Sequence, residues 1–124
     1  MTVKPTLITV VDDDESIRES LPDLIREFGF SATAFSSAQE FLESDSLNAT
    51  KCLILDVSMP IMSGLELQKE LKFRQRKIPI IFITAHIEET DRSHLIEQGA
   101  VDCLFKPFSE ADLLKAVNAA LRAN

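Results

Sequence analysis

Five short apolar runs recur along the chain, and helical patterns fill the intervals between them. This alternation constrains the fold more than any other feature. The runs are Leu7–Val11, Ser31–Phe35, Cys52–Leu55, Ile80–Thr84 and Val101–Phe105. Leu7–Val11, Cys52–Leu55 and Ile80–Ile83 are almost continuous in apolar or β-branched residues, which is how strands covered on both faces read. Ser31–Phe35 alternates instead, Ala32 and Ala34 against Thr33 and Phe35, and is expected at an edge of the sheet.

The intervals carry helix signals. Ile17, Leu21, Leu24, Ile25 and Phe28 form a stripe at helical spacing that Gly29 ends. Pro22 lies inside this helix and is expected to bend it. Ser37 with Glu40 is a capping-box pattern, with Phe41 and Leu42 on the buried side. Ser63 with Glu66 repeats it, with Leu67 and Leu71 facing inward. A fifth helix starts at Ser109 and continues through Leu113, Leu114, Val117 and Leu121. The fourth, about Glu88 to Gln98, has little to anchor it beyond Leu95 and Ile96. It reads as a solvated helix or a movable one.

Five βα units in strict order predict an α/β fold: a doubly wound parallel sheet with helices on both faces and right-handed crossovers. The expected strand order is 2-1-3-4-5, and a site is expected beyond the carboxyl ends of the strands, where the order reverses. At 124 residues the chain reads as one domain, 1–124. Its net charge of −7 argues against direct nucleic-acid binding. No stretch approaches the ~20 apolar residues of a membrane span, and the first six residues show no export signal. Cys52 and Cys103 sit in apolar runs outside any metal motif, so both are expected to be free and buried, which suits a reducing cytoplasm.

The placement rule gathers a site from separate stretches. Asp12, Asp13, Asp14 and Glu15 follow the first strand, Asp56 the third, Thr84-Ala85 the fourth and Lys106-Pro107 the fifth. Helix-start chemistry explains Asp14 and Glu15 but neither Asp12 and Asp13 nor Asp56. Three carboxylates at one sheet edge make a hard-oxygen site suited to Mg²⁺. An exposed Asp at a strand end can act as a nucleophile, with Thr84 and Lys106 available to phosphoryl oxygens. No Gly-rich phosphate loop is present, and His86 and His94 lack ligand partners at useful spacing.

Taken together these residues resemble the receiver domain of two-component response regulators, with its flavodoxin-like fold, over Leu7 to Leu121. The resemblance rests on Asp12-Asp13, the Asp56…Met59-Pro60…Gly64 loop, Thr84-Ala85 and Lys106-Pro107-Phe108. It implies that Asp56 is the phosphoacceptor and that Asp12 and Asp13 hold Mg²⁺, Asp13 more directly, with Asp56 and the Ser58 backbone carbonyl as further ligands. It implies that Thr84 moves toward the phosphoryl group, that Lys106 contacts it, and that the Lys106–Pro107 bond is cis. Its implied partners are a sensor histidine kinase and an output domain or second copy, engaged through the fourth helix, fifth strand and fifth helix. The Val11-to-Glu15 start and Gly99-Ala100-Val101-Asp102 look similar to the nitrogen-fixation and nodulation regulators. The aromatic residue usual three positions before the lysine is Cys103 here, and Phe105 is expected to point to the opposite face.

Two rivals use the same residues. One is a haloacid-dehalogenase-like phosphatase with Asp12 as nucleophile and Asp14 as acid/base, but only Glu110 and Asp112 are left for its further acidic motif. The other is a receiver-like binding module that works without phosphorylation.

Overall fold

The computed structural model describes residues 6–85 and 89–122. His86 and the expected helix start at Glu88 lie outside the described residues. Five parallel strands, β1 (Leu7–Val11), β2 (Ser31–Phe35), β3 (Thr50–Asp56), β4 (Ile80–Thr84) and β5 (Asp102–Phe105), form one sheet in the order β2-β1-β3-β4-β5. The expected order holds, and β2 is an edge strand. Strand β5 begins at Asp102 rather than Val101, and β3 extends the expected run by two residues before Cys52 and one after Leu55.

The helices are α1 (Glu15–Glu27), α2 (Ala38–Leu42), α3 (Ser46–Ala49), α4 (Gly64–Phe73), α5 (Glu89–Glu97) and α6 (Glu110–Arg122). The extra short helix α3 moves the count, so the expected fourth and fifth helices are α5 and α6. Ser37 caps α2 as its sequence demands, but that helix lasts only five residues. The Thr50 hydroxyl then donates to the Ser46 carbonyl at 2.6 Å and pairs with the Thr9 hydroxyl at 2.6 Å, which ties α3 to the start of β3. Helix α1 runs unbroken through Pro22.

Side-chain alternation along the strands divides the core into two layers. Cys52, Ile54, Ile81 and Ile83 face α1 and α6, where they meet Ile25, Leu113 and Val117. Leu53, Leu55, Phe82 and Cys103 face the other side and pack against Phe41, Leu67, Leu71 and Leu95. Each fully buried aliphatic side chain contributes about 1.5–3 kcal/mol of transfer free energy, so both layers are needed to hold the sheet. The two cysteines are free and buried, and burial pushes the Cys52 thiol up to about 12.

Two expectations need correction. Ile96 is exposed and anchors nothing, so Leu95 is the buried apolar side chain of α5 among those described. Phe105 does not turn away from Cys103, because residues two apart on a strand share a face. It pairs in register with Thr84, as Cys103 does with Phe82, and lies 46% exposed at the end of β5. No helix among the described residues is long and apolar enough to cross a membrane.

Candidate functional site

Strands β1, β3, β4 and β5 each deliver a group to the same edge. Strand β1 ends at Val11, which leaves Asp12 fully buried and Asp13 exposed. The Asp12 Oδ1 accepts the Asp14 amide at 2.9 Å, and its own amide donates to the Phe35 carbonyl at 3.1 Å. Asp14 caps α1 by accepting the Ser16 amide at 2.9 Å and hydroxyl at 2.7 Å. Those bonds hold its carboxyl below the usual carboxylate range. The run of acids is therefore divided: Asp14 serves the helix, while Asp12 and Asp13 serve the edge.

Asp56 is not exposed as expected: it is the last residue of β3 rather than the first of the loop, and the sheet edge buries it to 6% exposure. Carboxylate oxygens of Asp12, Asp13 and Asp56 all lie within 4.8 Å of one another. Lys106 enters from the far side of the edge, its Nζ 2.8 Å from Asp12 Oδ2 and 3.9 Å from Asp56 Oδ1. Its backbone amide donates to the Thr84 carbonyl at 2.7 Å, which fixes the end of β5 against the end of β4. Thr84 is buried there, and the Lys106–Pro107 bond is cis, as expected. Ser58 lies two residues after Asp56 and is exposed.

Among the described residues Lys106 is the cation paired with these carboxylates, and the balance shows in Asp56. Burial first, then the Asp12 charge, push its carboxyl up to about 7 against the opposing pull of Lys106. A raised carboxyl pKa has a definite sign in the linkage to stability. The folded form keeps the proton up to about 7, whereas the unfolded form loses it near 3.8. The contribution of this group is thus complete below 3.8 and is lost as pH rises through 7. Without divalent cations, urea denaturation is expected to show this part of the stability falling between those values, and Asp56→Asn to remove that slope. An identical slope in the variant would show that Asp56 does not carry the shifted proton.

Two contributors escaped the sequence reading. The Arg18 Nη1 donates to the Asp12 carbonyl at 3.0 Å, a contact from the first turn of α1 back to the strand end that no short motif marks. Gly64 lies against the Asp56 backbone: a Cβ there would stand 2.3 Å from the Asp56 carbonyl oxygen and 3.0 Å from Phe82 Cε1. Its one signal in the sequence is the glycine of the Met59-Pro60…Gly64 loop motif, which says nothing of that contact. The same loop holds Ile61 at a φ of 71°, with the Met62 amide donating across it to the Pro60 carbonyl at 2.8 Å. A β-branched residue at positive φ is a strained backbone beside the site.

An open α/β sheet that presents three acids and a lysine at its switch point has the arrangement of a receiver. Residues 8–118 match the family model described as the response regulator receiver domain, and the chain belongs to that family. It is 45% identical over 122 residues to the response regulator protein TodT of Pseudomonas putida, covering 98% of this chain and 54% of that protein. It is 46% identical over 114 residues to Nodulation protein W of Bradyrhizobium diazoefficiens, covering 92% of this chain and 50% of that protein. The expected likeness to nodulation and nitrogen-fixation regulators is thus present. Among solved structures, FixJ-N superposes with a TM-score of 0.86 at 31% identity, covering 98% of each chain. The response regulator StyR superposes with a TM-score of 0.87 at 44% identity, covering 97% of this chain and 61% of that one. The chain spans about half the length of the curated relatives it matches.

The phosphatase rival is not favoured. Its nucleophile would be Asp12, which is wholly buried and held by Lys106, and its acid would be Asp14, whose carboxylate is committed to capping α1.

Proposed function

We propose that Asp56 accepts a phosphoryl group from a sensor histidine kinase, with Mg²⁺ bound at the acid cluster. The observation that carries this reading is the meeting of three carboxylates within 4.8 Å of one another beside the Lys106 ammonium. Three clustered acids whose carboxylates pair with one lysine are an oxygen donor set short of positive charge, which fits a hard divalent ion. Asp13 and Asp56 would hold it with the Ser58 carbonyl. Asp12 would support them, since one of its oxygens is engaged by the Asp14 amide and the other by Lys106. When bound, Mg²⁺ supplies charge neutralisation for phosphoryl oxygens.

The chain's own residues account for the rest. An Asp56 carboxylate oxygen attacks phosphorus, the P–N bond to the donor histidine breaks, and the imidazole keeps the electron pair and takes a proton. Lys106, 3.9 Å from Asp56, is within reach of an oxygen on the new group. Thr84 stands at the next strand end to bond another. The product adds about −1.5 to −2 of charge to an edge already crowded with acids, which biases any element with two arrangements.

Helix α5 is that element in this reading. Leu95 anchors it, together with the Arg92–Asp102 ion pair at 3.2 Å and two long hydrogen bonds from α4 to Gln98. With Cys103 buried at the usual aromatic position, Phe105 is the aromatic neighbour of Thr84 on the α5 side of the sheet. The face of α5, β5 and α6, where Ile96 and Phe105 are exposed, would then engage a second copy or an output domain acting in transcription. The chain would work in the cytoplasm beside its kinase, as a phosphoacceptor with no turnover of outside substrates.

Incubation with acetyl phosphate tests this reading by intact mass. The expected result is a gain of one phosphoryl group that requires Mg²⁺ and disappears with excess chelator. An unchanged mass at millimolar Mg²⁺ would favour the phosphorylation-independent module.

A further inference from the structure

Asp13 is the member of the acid cluster that packing does not hold. Asp12 and Asp56 are buried and Lys106 pairs with both, whereas Asp13 is exposed. A carboxylate oxygen of Asp13 nevertheless lies within 4.8 Å of oxygens of the other two. Burial and Asp12 raise the Asp56 carboxyl first, and Asp13 adds to them, so two ionised carboxylates here repel. What keeps Asp13 at the edge is its backbone.

Both peptide groups that flank Asp13 are pinned. The Asp12–Asp13 peptide is held at its carbonyl, which accepts the Arg18 Nη1 at 3.0 Å. The Asp13–Asp14 peptide is held at its amide, which donates to Asp12 Oδ1 at 2.9 Å. Each peptide is planar, so fixing the two planes leaves Asp13 little freedom in φ and ψ. The direction of its Cβ, and with it the place of the carboxylate, follows.

The start of α1 delivers Arg18 to this task. The Asp14 cap sets the phase of the helix, and the Arg18 amide donates to the Asp14 carbonyl at 3.1 Å. Side chains on a helix lean toward its amino end, which returns the guanidinium to the strand end. Glu40 of α2 lies near enough to feel it: the Ser36 hydroxyl and amide hold that carboxyl low, and the Arg18 charge adds to them. On charge alone this is a poor place for an arginine. A cation beside a divalent-ion site repels the ion, so its loss should tighten binding.

We propose that Arg18 is a positioning residue for the metal ion, holding the Asp12–Asp13 peptide so that Asp13 presents its carboxylate to Mg²⁺. The inference deepens the Mg²⁺-dependent phosphoacceptor reading and rests on it. Hydrogen bonds that orient a metal ligand from behind are worth about 10–100-fold in metal affinity. Positioning and charge therefore predict opposite signs for the loss of Arg18.

Arg18→Met keeps the apolar stem and removes both the donor and the charge. Mg²⁺ is titrated into the metal-free, unphosphorylated chain and followed by the amide NMR signals of Asp13 and Asp56. The affinity is expected to fall about tenfold in the variant. Uptake from acetyl phosphate should need correspondingly more Mg²⁺ but reach the wild-type rate once the ion is saturating. Equal or tighter Mg²⁺ binding by Arg18→Met overturns the proposal. So does a lowered melting temperature with unchanged affinity, which would make Arg18 a structural clamp only. A wild-type chain indifferent to millimolar Mg²⁺ would sink the metal-site reading, and the proposal with it.

Discussion

Asp56→Asn is expected to abolish phosphoryl uptake while leaving the fold intact. The amide occupies the same space at the end of β3 but offers no carboxylate oxygen to attack phosphorus, so the loss should be at least about a thousandfold. The fold should not suffer, because the charged Asp56 carboxylate is costly where it stands: burial first, then repulsion from Asp12, raise its pKa. Removing that charge in metal-free buffer near pH 7 is expected to leave stability equal or higher. Uptake from acetyl phosphate read by mass, with melting read in parallel, separates the two effects. Retained uptake would reject Asp56, and a collapse of the fold would mean that its carboxylate is structural.

Gly64→Ala is expected to damage both fold and site. The added Cβ would meet the Asp56 carbonyl oxygen at 2.3 Å and the Asp56 carbonyl carbon at 3.1 Å, and neither is a flexible side-chain end that can swing aside. Gly64 is also the first residue of α4, and its amide donates to the Val57 carbonyl at 2.9 Å, so α4 cannot retreat without breaking the loop. Overpacking a site this closed costs about 3 kcal/mol. For a domain of this size that lowers the melting temperature by roughly 10 °C. Because the displaced backbone is that of Asp56, phosphoryl uptake should fall in the fraction that remains folded. A melting temperature within a degree or two of wild type would contradict the close packing of Gly64 on Asp56.

The two residues also show which parts of this protein are legible in a sequence and which are not. Asp56 could be placed because buried parallel strands demand continuous apolar runs, and the residue after such a run must lie at the sheet edge. The same logic placed Asp12, Asp13, Thr84 and Lys106, and an alternating pattern put β2 at the border. Gly64 and Arg18 act through contacts that depend on how a loop and a helix turn fold back, and residue spacing does not encode that. The stretch from Asp45 to Ala49 has no helical periodicity to reveal α3, which is held by the Thr50 hydroxyl instead. Ile96 looks like an anchor in the sequence because hydrophobicity alone does not say which side of a nearly uniform polar helix faces the sheet.

Asp56 as the carrier of the phosphoryl group is the central claim, and chemical trapping locates that group directly. After phosphorylation with acetyl phosphate and Mg²⁺, borohydride reduces an aspartyl phosphate to homoserine, and peptide mass mapping finds the position. Homoserine at position 56 alone is the predicted result. Homoserine at position 12 or 13, or none at a site shown to have gained mass, would contradict it.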